Sequence, residues 1–183
     1  MASADLFPHF ALLGFLYFQP MHGYDLHKQL QTNLGEVWRI SQSQVYAILK
    51  RLEKDAWVLA TSQPDPDGKR PERSRFELTP SGRAQFEKWL YTPTSSSARA
   101  LRVDFLTRLF FASLPGPATG SELVLRLLQE QAVATRGDLG RLQRRLEQVP
   151  ANQIYNRLGV ELRVRQLRAL LEWMESCEPA QLS

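Results

Sequence analysis

Four cations stand within seven residues at Lys69, Arg70, Arg73 and Arg75, and only Glu72 opposes them. Guanidinium and ammonium groups are the side chains that hold phosphate oxygens most strongly, so phosphate binding is the chemistry this cluster suits. Just upstream, Ser41, Gln42, Ser43, Gln44, Tyr46, Lys50 and Arg51 fall within eleven residues. Short polar groups come first and long cations later. On a helix that order suits a nucleic-acid groove, with small donors and acceptors at base edges and cations reaching phosphates. Each feature alone has a plainer account. A charge run is usually a solvated loop, and on the helix alone an ordinary solvated face is the simpler reading. Their adjacency moves the balance toward nucleic-acid binding.

Other chemistries find little material. There is no phosphate-cradling Gly motif and no nucleophile elbow. His22 and His27 are five apart with no cysteine or third histidine nearby, which is not a zinc set. Asp65 and Asp67 flank Pro66 ahead of the basic cluster, where turn formation accounts for them better than catalysis. The expectation is a protein that is not an enzyme and needs neither metal nor cofactor. Trp89, Trp173, Tyr155 and the phenylalanines of 105–111 could line an effector pocket, but at helical spacing they read first as core.

The positioning elements follow from local signals. Ser41 and Gln44 form a capping box, each side chain reaching the other's backbone N–H. Val45, Ile48, Leu49 and Leu52 then make one buried stripe, with Ser43, Ala47, Lys50, Arg51 and Lys54 opposite. Trp57 to Thr61 and Arg73 to Leu78 read as strands, joined by the turn-rich Pro64-Asp65-Pro66-Asp67-Gly68. Ser74, Phe76 and Leu78 should face one side of the second strand, and Arg73, Arg75 and Glu77 the other. Thr79 and Pro80 supply N-cap and first position of a helix reaching about Tyr91, with Phe86, Trp89 and Leu90 inward. Upstream, Phe10 to Phe18 is a buried helix. It is far shorter than the ~20 residues of a membrane span, and it lacks the basic start and cleavage site of a signal peptide. A second helix opens at Gly23-Tyr24, buries Leu26, Leu30 and Leu34, and ends at Gly35. His22 and the amides of Gly23 and Tyr24 sit at its positive end, which suits a phosphate. Packing of Tyr24 in the core is an equal alternative. Helix, hairpin wing, helix is the layout of a winged helix-turn-helix.

Thr92 to Ser97 is a polar boundary, placing a DNA-binding domain at 1–92 and a helical domain at 93–183. Leu101 to Phe111 forms an apolar helix stopped by Pro115-Gly116-Pro117. From about Thr119 to Val149, Leu125, Leu128, Ala132, Thr135, Leu139, Leu142, Leu146 and Val149 step by threes and fours, a heptad seam. After Pro150 a second long helix, Asn152 to Glu178, repeats the step with Val160, Val164, Leu167, Leu171 and Met174. The expected fold is mainly α: a winged helix-turn-helix followed by an antiparallel helical hairpin. A lone hairpin leaves an apolar stripe uncovered, so the seam, with Leu125, Leu128, Leu139, Leu142, Leu146, Leu167 and Leu171, is expected to be buried partly within the hairpin and partly across the twofold axis of a dimer.

Charge does not localise the function. Residues 1–92 carry 11 Lys/Arg and 10 Asp/Glu, and 93–183 carry 12 and 9, so only the local clusters argue for DNA. The single cysteine, Cys177, cannot form an intrachain disulfide, and a reducing cytoplasm is the expected compartment.

The segments FALLGFLYFQPMHGYDLHKQL, WRISQSQVYAILKRLEKDAWV and RFELTPSGRAQFEKWL together resemble the PadR family of bacterial transcriptional regulators over residues 9–90. The distinctive pieces are Gly-Tyr-Asp-Leu, Ser-Gln-Ser-Gln-x-Tyr before Leu-Lys-Arg-Leu-Glu, and Leu-Thr-x-x-Gly. VDFLTRLFFA and the long helical tail resemble the branch typified by virulence-gene activators. Two positions depart from the family pattern: Ala56 stands where a Gly is usual, and Ala47 where a Pro is common. The resemblance implies a homodimer on double-stranded DNA, acting as repressor or activator at a palindromic operator. It also admits a small aromatic effector as partner. A protein–protein adaptor that uses the winged helix as a docking module is the alternative.

Overall fold

Helix α1 (His9–Phe18) is apolar on every side, and a helix of that kind must be wrapped by others. Ala11 to Leu16 are all buried. Around α1 lie α2 (Gly23–Leu34), α3 (Gln42–Lys54), β3 (Arg73–Leu78) and α4 (Pro80–Tyr91). The computed structural model describes residues 8–63, 73–114 and 120–177. The chain divides into two compact units, Asp5–Thr92 and one that holds Pro93–Ser183.

In the first unit Leu26 and Leu30 of α2 and Val45 and Leu49 of α3 are fully buried against α1. Ile48 is only partly covered. An aromatic stack closes the far side: Phe10 lies parallel to Trp89 at 4.9 Å, and Phe86 sits 5.0 Å from Tyr17. Arg83 lies over the Tyr17 ring at 4.4 Å. Helix α2 does not end in a left-handed glycine. Gly35 is right-handed, and the Val37 and Trp38 N–H groups close the turn on the Leu34 carbonyl.

The sheet has three strands rather than the two expected. The short β1 (Met21–His22) pairs antiparallel with β3, which pairs with β2 (Val58–Gln63). Strand β2 runs later than the composition suggests, because Trp57 belongs to the turn. Helix α3 ends in a Schellman arrangement: Trp57 N–H donates to the Leu52 carbonyl at 2.9 Å and Ala56 N–H to Glu53 at 3.0 Å. That motif needs a left-handed residue, and Ala56 supplies it at φ 57°. A left-handed Cβ costs about 1–2 kcal/mol. Ala56→Gly should therefore stabilise the protein by about 0.5–1 kcal/mol, after the ~0.4–1 kcal/mol that glycine adds to unfolded-chain entropy. A melting temperature that stays level or falls would refute the strain. Thr79 ties the turn to the next helix, its hydroxyl donating to the Ala56 carbonyl at 2.7 Å and accepting from Gly82 N–H at 3.0 Å. A side chain at Gly82 would place Cβ 1.9 Å from the Trp57 carbonyl oxygen, so α4 docks there on glycine alone.

In the second unit the expected apolar helix is longer and irregular: α5 (Ala98–Ala100), a π turn (Leu101–Phe105) and α6 (Leu106–Ser113) run on continuously. Pro115, Gly116 and Pro117 lie outside the described residues. Inside the unit, Arg108 is almost wholly buried, and its guanidinium meets the Asp104 carboxylate at 2.9 Å. Burial pulls the Arg108 pKa down from its usual value, and Asp104 opposes that pull. The Thr94 hydroxyl donates to the same Asp104 oxygen at 2.9 Å. The Gln131 side-chain amide spans the Thr94 backbone, accepting from its N–H at 3.1 Å and donating to its carbonyl at 3.0 Å.

Helices α7 (Ser121–Gln148) and α8 (Ile154–Ser176) pair as a hairpin, and an Arg136–Glu175 ion pair links them. Leu128, Ala132, Thr135, Leu139 and Leu142 are buried on α7, and Val160, Val164, Leu167, Leu171 and Met174 on α8. Within the seam, Leu125 is exposed and Leu146 only partly covered. A heptad repeat drifts ~20° per heptad on a straight helix, so two heptads before Leu139 the stripe has turned away. There α6 packs on α7, and Leu123, Val124 and Leu127 are the buried residues instead. A second apolar stripe lies on the opposite face of α8, where Ile154, Tyr155, Leu158, Leu162 and Trp173 are exposed.

Candidate nucleic-acid interface

The capping box at the start of α3 is complete. Ser41 N–H donates to Gln44 Oε1 at 2.7 Å, and Gln44 N–H donates to Ser41 Oγ at 3.3 Å. The Ser43 hydroxyl lies 2.9 Å from that of Ser41. The Gln44 oxygen is engaged by the cap, so its amide nitrogen is the freer group to address a base, and a two-bond grip on adenine would compete with the cap for the side chain's orientation. Beyond the cap, Gln42, Tyr46, Lys50 and Arg51 are exposed along the outer face, while Val45, Leu49 and Leu52 anchor the inner one. Arg51 lies 3.9 Å from Asp55, an exposed pair that holds the guanidinium only loosely.

The beginning of α2 meets both α3 and the sheet. Tyr24 is 57% exposed, so it is a surface residue and not part of the core. The N-cap residue His22 makes no side-chain capping bond to α2, so the positive end of the helix lacks a cap from that residue. His22 Nδ1 lies 3.1 Å from the Ser74 carbonyl, and Arg75 donates to the Pro20 carbonyl at 3.4 Å. These two bonds and the β1–β3 pairing fasten the α2 start to the inner strand of the wing. Between α2 and β3 opens a cleft of about 430 Å³, lined among others by His22, Asp25, Lys28, Gln29 and Arg75. Lys28 and Gln29 are additions to the set read from the sequence. Their place one turn along the exposed face from Tyr24 was the signal that could have found them.

Strand β3 alternates as expected about Phe76, which is buried between exposed Arg75 and Glu77. Arg73 opens the strand opposite Gln63. Lys69, Arg70 and the Arg73 side chain lie outside the described residues. Among the described residues no group of His, Cys, Asp or Glu could hold a metal ion, and no helix is long and apolar enough to cross a membrane.

Residues 12–88 match the transcriptional regulator PadR-like family, and residues 101–180 match the virulence activator alpha C-terminal family. A probable transcriptional regulator of Mycobacterium tuberculosis is 28% identical over 134 residues, 72% of this chain and 68% of that protein. The negative transcriptional regulator PadR of Bacillus subtilis is 27% identical over 124 residues, 67% of this chain and 65% of its own length. Among solved structures, that of Bacillus subtilis PadR with operator DNA is similar at a TM-score of 0.44 and 22% identity, over 96% of this chain and 98% of that one. Residues 12–88, the winged-helix part of the chain, are thus similar to the transcriptional regulator PadR-like family, and the helical part that follows is similar to the virulence activator alpha C-terminal family.

Proposed function

We propose that the chain binds double-stranded DNA sequence-specifically as a homodimer on a palindromic operator, and that it represses. The observation that carries this is the outer face of α3. It is exposed from Gln42 to Arg51, polar at its capped start and cationic further on, and it stands beside the start of α2. Tyr46 and Ser43 would meet base edges or the backbone, Lys50 and Arg51 phosphates, and the α2 start a further phosphate. Lys69, Arg70, Arg73 and Arg75 on the wing would hold phosphates or a narrow minor groove. Repression follows the name of the Bacillus subtilis relative, a negative regulator. In this reading the protein works in the cytoplasm without enzymatic activity, and a small aromatic effector is a partner to be screened against its DNA-bound form.

Dimerisation rests on α8. Since Leu128, Leu139, Leu142, Leu167 and Leu171 of the seam are covered within one chain, the outward stripe through Leu158 and Leu162 is the face we assign to a second copy. A twofold axis there would pair two recognition helices, as a palindrome requires.

Selection from a random duplex pool, followed by salt titration on the winning sequence, tests the reading. Replacing Arg70 and Arg73 together with Ala should weaken binding to every duplex and flatten the salt slope by ~0.9 for each phosphate that is no longer neutralised. An unchanged slope would remove the wing from the interface. Absence of binding to any duplex at low salt would instead make the winged helix a protein-docking module.

A further inference from the structure

Gly23 opens α2 and is buried. A methyl built on it would stand 2.6 Å from Tyr46 Cε1, 2.7 Å from Cζ and 3.0 Å from the hydroxyl oxygen. Carbon atoms that touch sit ~3.5–4.0 Å apart, so the Tyr46 ring occupies space that only a hydrogen leaves open. The backbone does not demand glycine here, since Gly120 is the one described glycine at positive φ. What excludes a side chain at position 23 is therefore the phenol of Tyr46, reaching across from α3. Tyr46 is 42% exposed, so its ring has solvent to swing into if it is displaced. A methyl at position 23 would thus move the ring rather than break the fold.

We infer that Gly23 is a positioning residue for DNA recognition. It lets the Tyr46 ring pack against the first turn of α2, so that the hydroxyl meets DNA from one fixed place instead of from a mobile side chain. The inference rests on the DNA-binding reading above. It extends that reading by giving Gly23 a role through Tyr46, and it makes the α2–α3 junction one recognition unit.

The test is a double-mutant cycle in the full-length protein, using Gly23→Ala, Tyr46→Ala and the combination. Gly23→Ala should melt like wild type, and its Tyr46 ring resonances should move in NMR spectra of the free protein. Its affinity for the selected duplex should fall by roughly tenfold or more, the scale of one hydrogen bond to a charged group. Tyr46→Ala should lower affinity by a similar factor, and adding Gly23→Ala to it should cost nothing further. Ring resonances that stay in place would overturn the inference, as would full affinity in Gly23→Ala beside weakened binding in Tyr46→Ala. Effects that multiply in the double variant would also overturn it, because Gly23 would then act by some route other than Tyr46. Failure of the wild-type protein to bind any duplex is the separate result that defeats the DNA reading itself, and the DNA role of Gly23 falls with it.

Discussion

Replacing Leu139 and Leu142 with Glu is expected to unfold the α7–α8 hairpin and not merely to split a dimer. Both leucines face α8 and are less than a tenth exposed. Burying two carboxylates there costs several kcal/mol each unless they take up protons. A domain held by about 5–15 kcal/mol does not survive that pair of losses. Far-UV circular dichroism should show a large drop in helix, while the winged-helix unit has its own core and can retain structure. The matching pair on the opposite face of α8, Leu158→Glu with Leu162→Glu, should behave differently. Those side chains are more than half exposed, so helix content and melting should stay near wild type. Light scattering should then report a monomer, and operator affinity should fall by ~10²-fold as the effective-concentration gain of two linked half-sites disappears. Retained helix in the Leu139/Leu142 variant would mean the seam is not an internal core. A dimer that survives the Leu158/Leu162 variant would move the interface off α8.

The contrast between these two faces marks where sequence reading stops. A seam of leucines shows that a stripe is buried, but not what buries it. Here the chain's own hairpin covers the stripe from Leu128 to Leu142, and the second apolar face of α8 emerges only when burial is resolved residue by residue. Leu125 fits the repeat in sequence yet lies exposed, because the repeat and the straight helix differ in phase and α6 takes over that end. Local signals carried further. The Ser41–Gln44 box and the Thr79–Pro80 start depend on residues three apart or adjacent, so composition and spacing were sufficient. The left-handed turn at Ala56 was harder. Ala56 stands where the family has a glycine, and the backbone takes the left-handed form anyway, with the strain stored in one alanine. Strand β1 was illegible: two residues after a proline have no period, and their pairing with Phe76 and Arg75 crosses more than fifty residues of chain. The exposure of Tyr24 and the lodging of Tyr46 on Gly23 are likewise matters of tertiary approach. They convert a set of polar positions into a surface in which α2, α3 and β3 share one corner.

Asp104→Ala should be among the most damaging single substitutions in the second unit. Its carboxylate lies 2.9 Å from the Arg108 guanidinium and also accepts the Thr94 hydroxyl. The Arg108 side chain is only 6% exposed, so water cannot replace the missing carboxylate. Removing one member of a buried ion pair typically costs about 3–5 kcal/mol, because the other charge stays in a low-dielectric site. The Thr94 hydroxyl loses its acceptor as well, which loosens the segment that Gln131 clamps by its backbone. Chemical denaturation followed by helix content should show the midpoint falling sharply, with the early unfolding confined to the helical unit. The pair is a requirement for each partner more than a source of net stability. Asp104→Leu combined with Arg108→Met should therefore recover most of what Asp104→Ala loses, since apolar replacements of similar volume are often neutral. A double variant as unstable as Asp104→Ala would show that the guanidinium makes interactions the π turn cannot do without. Wild-type stability in Asp104→Ala would show that Arg108 does not depend on that carboxylate at all.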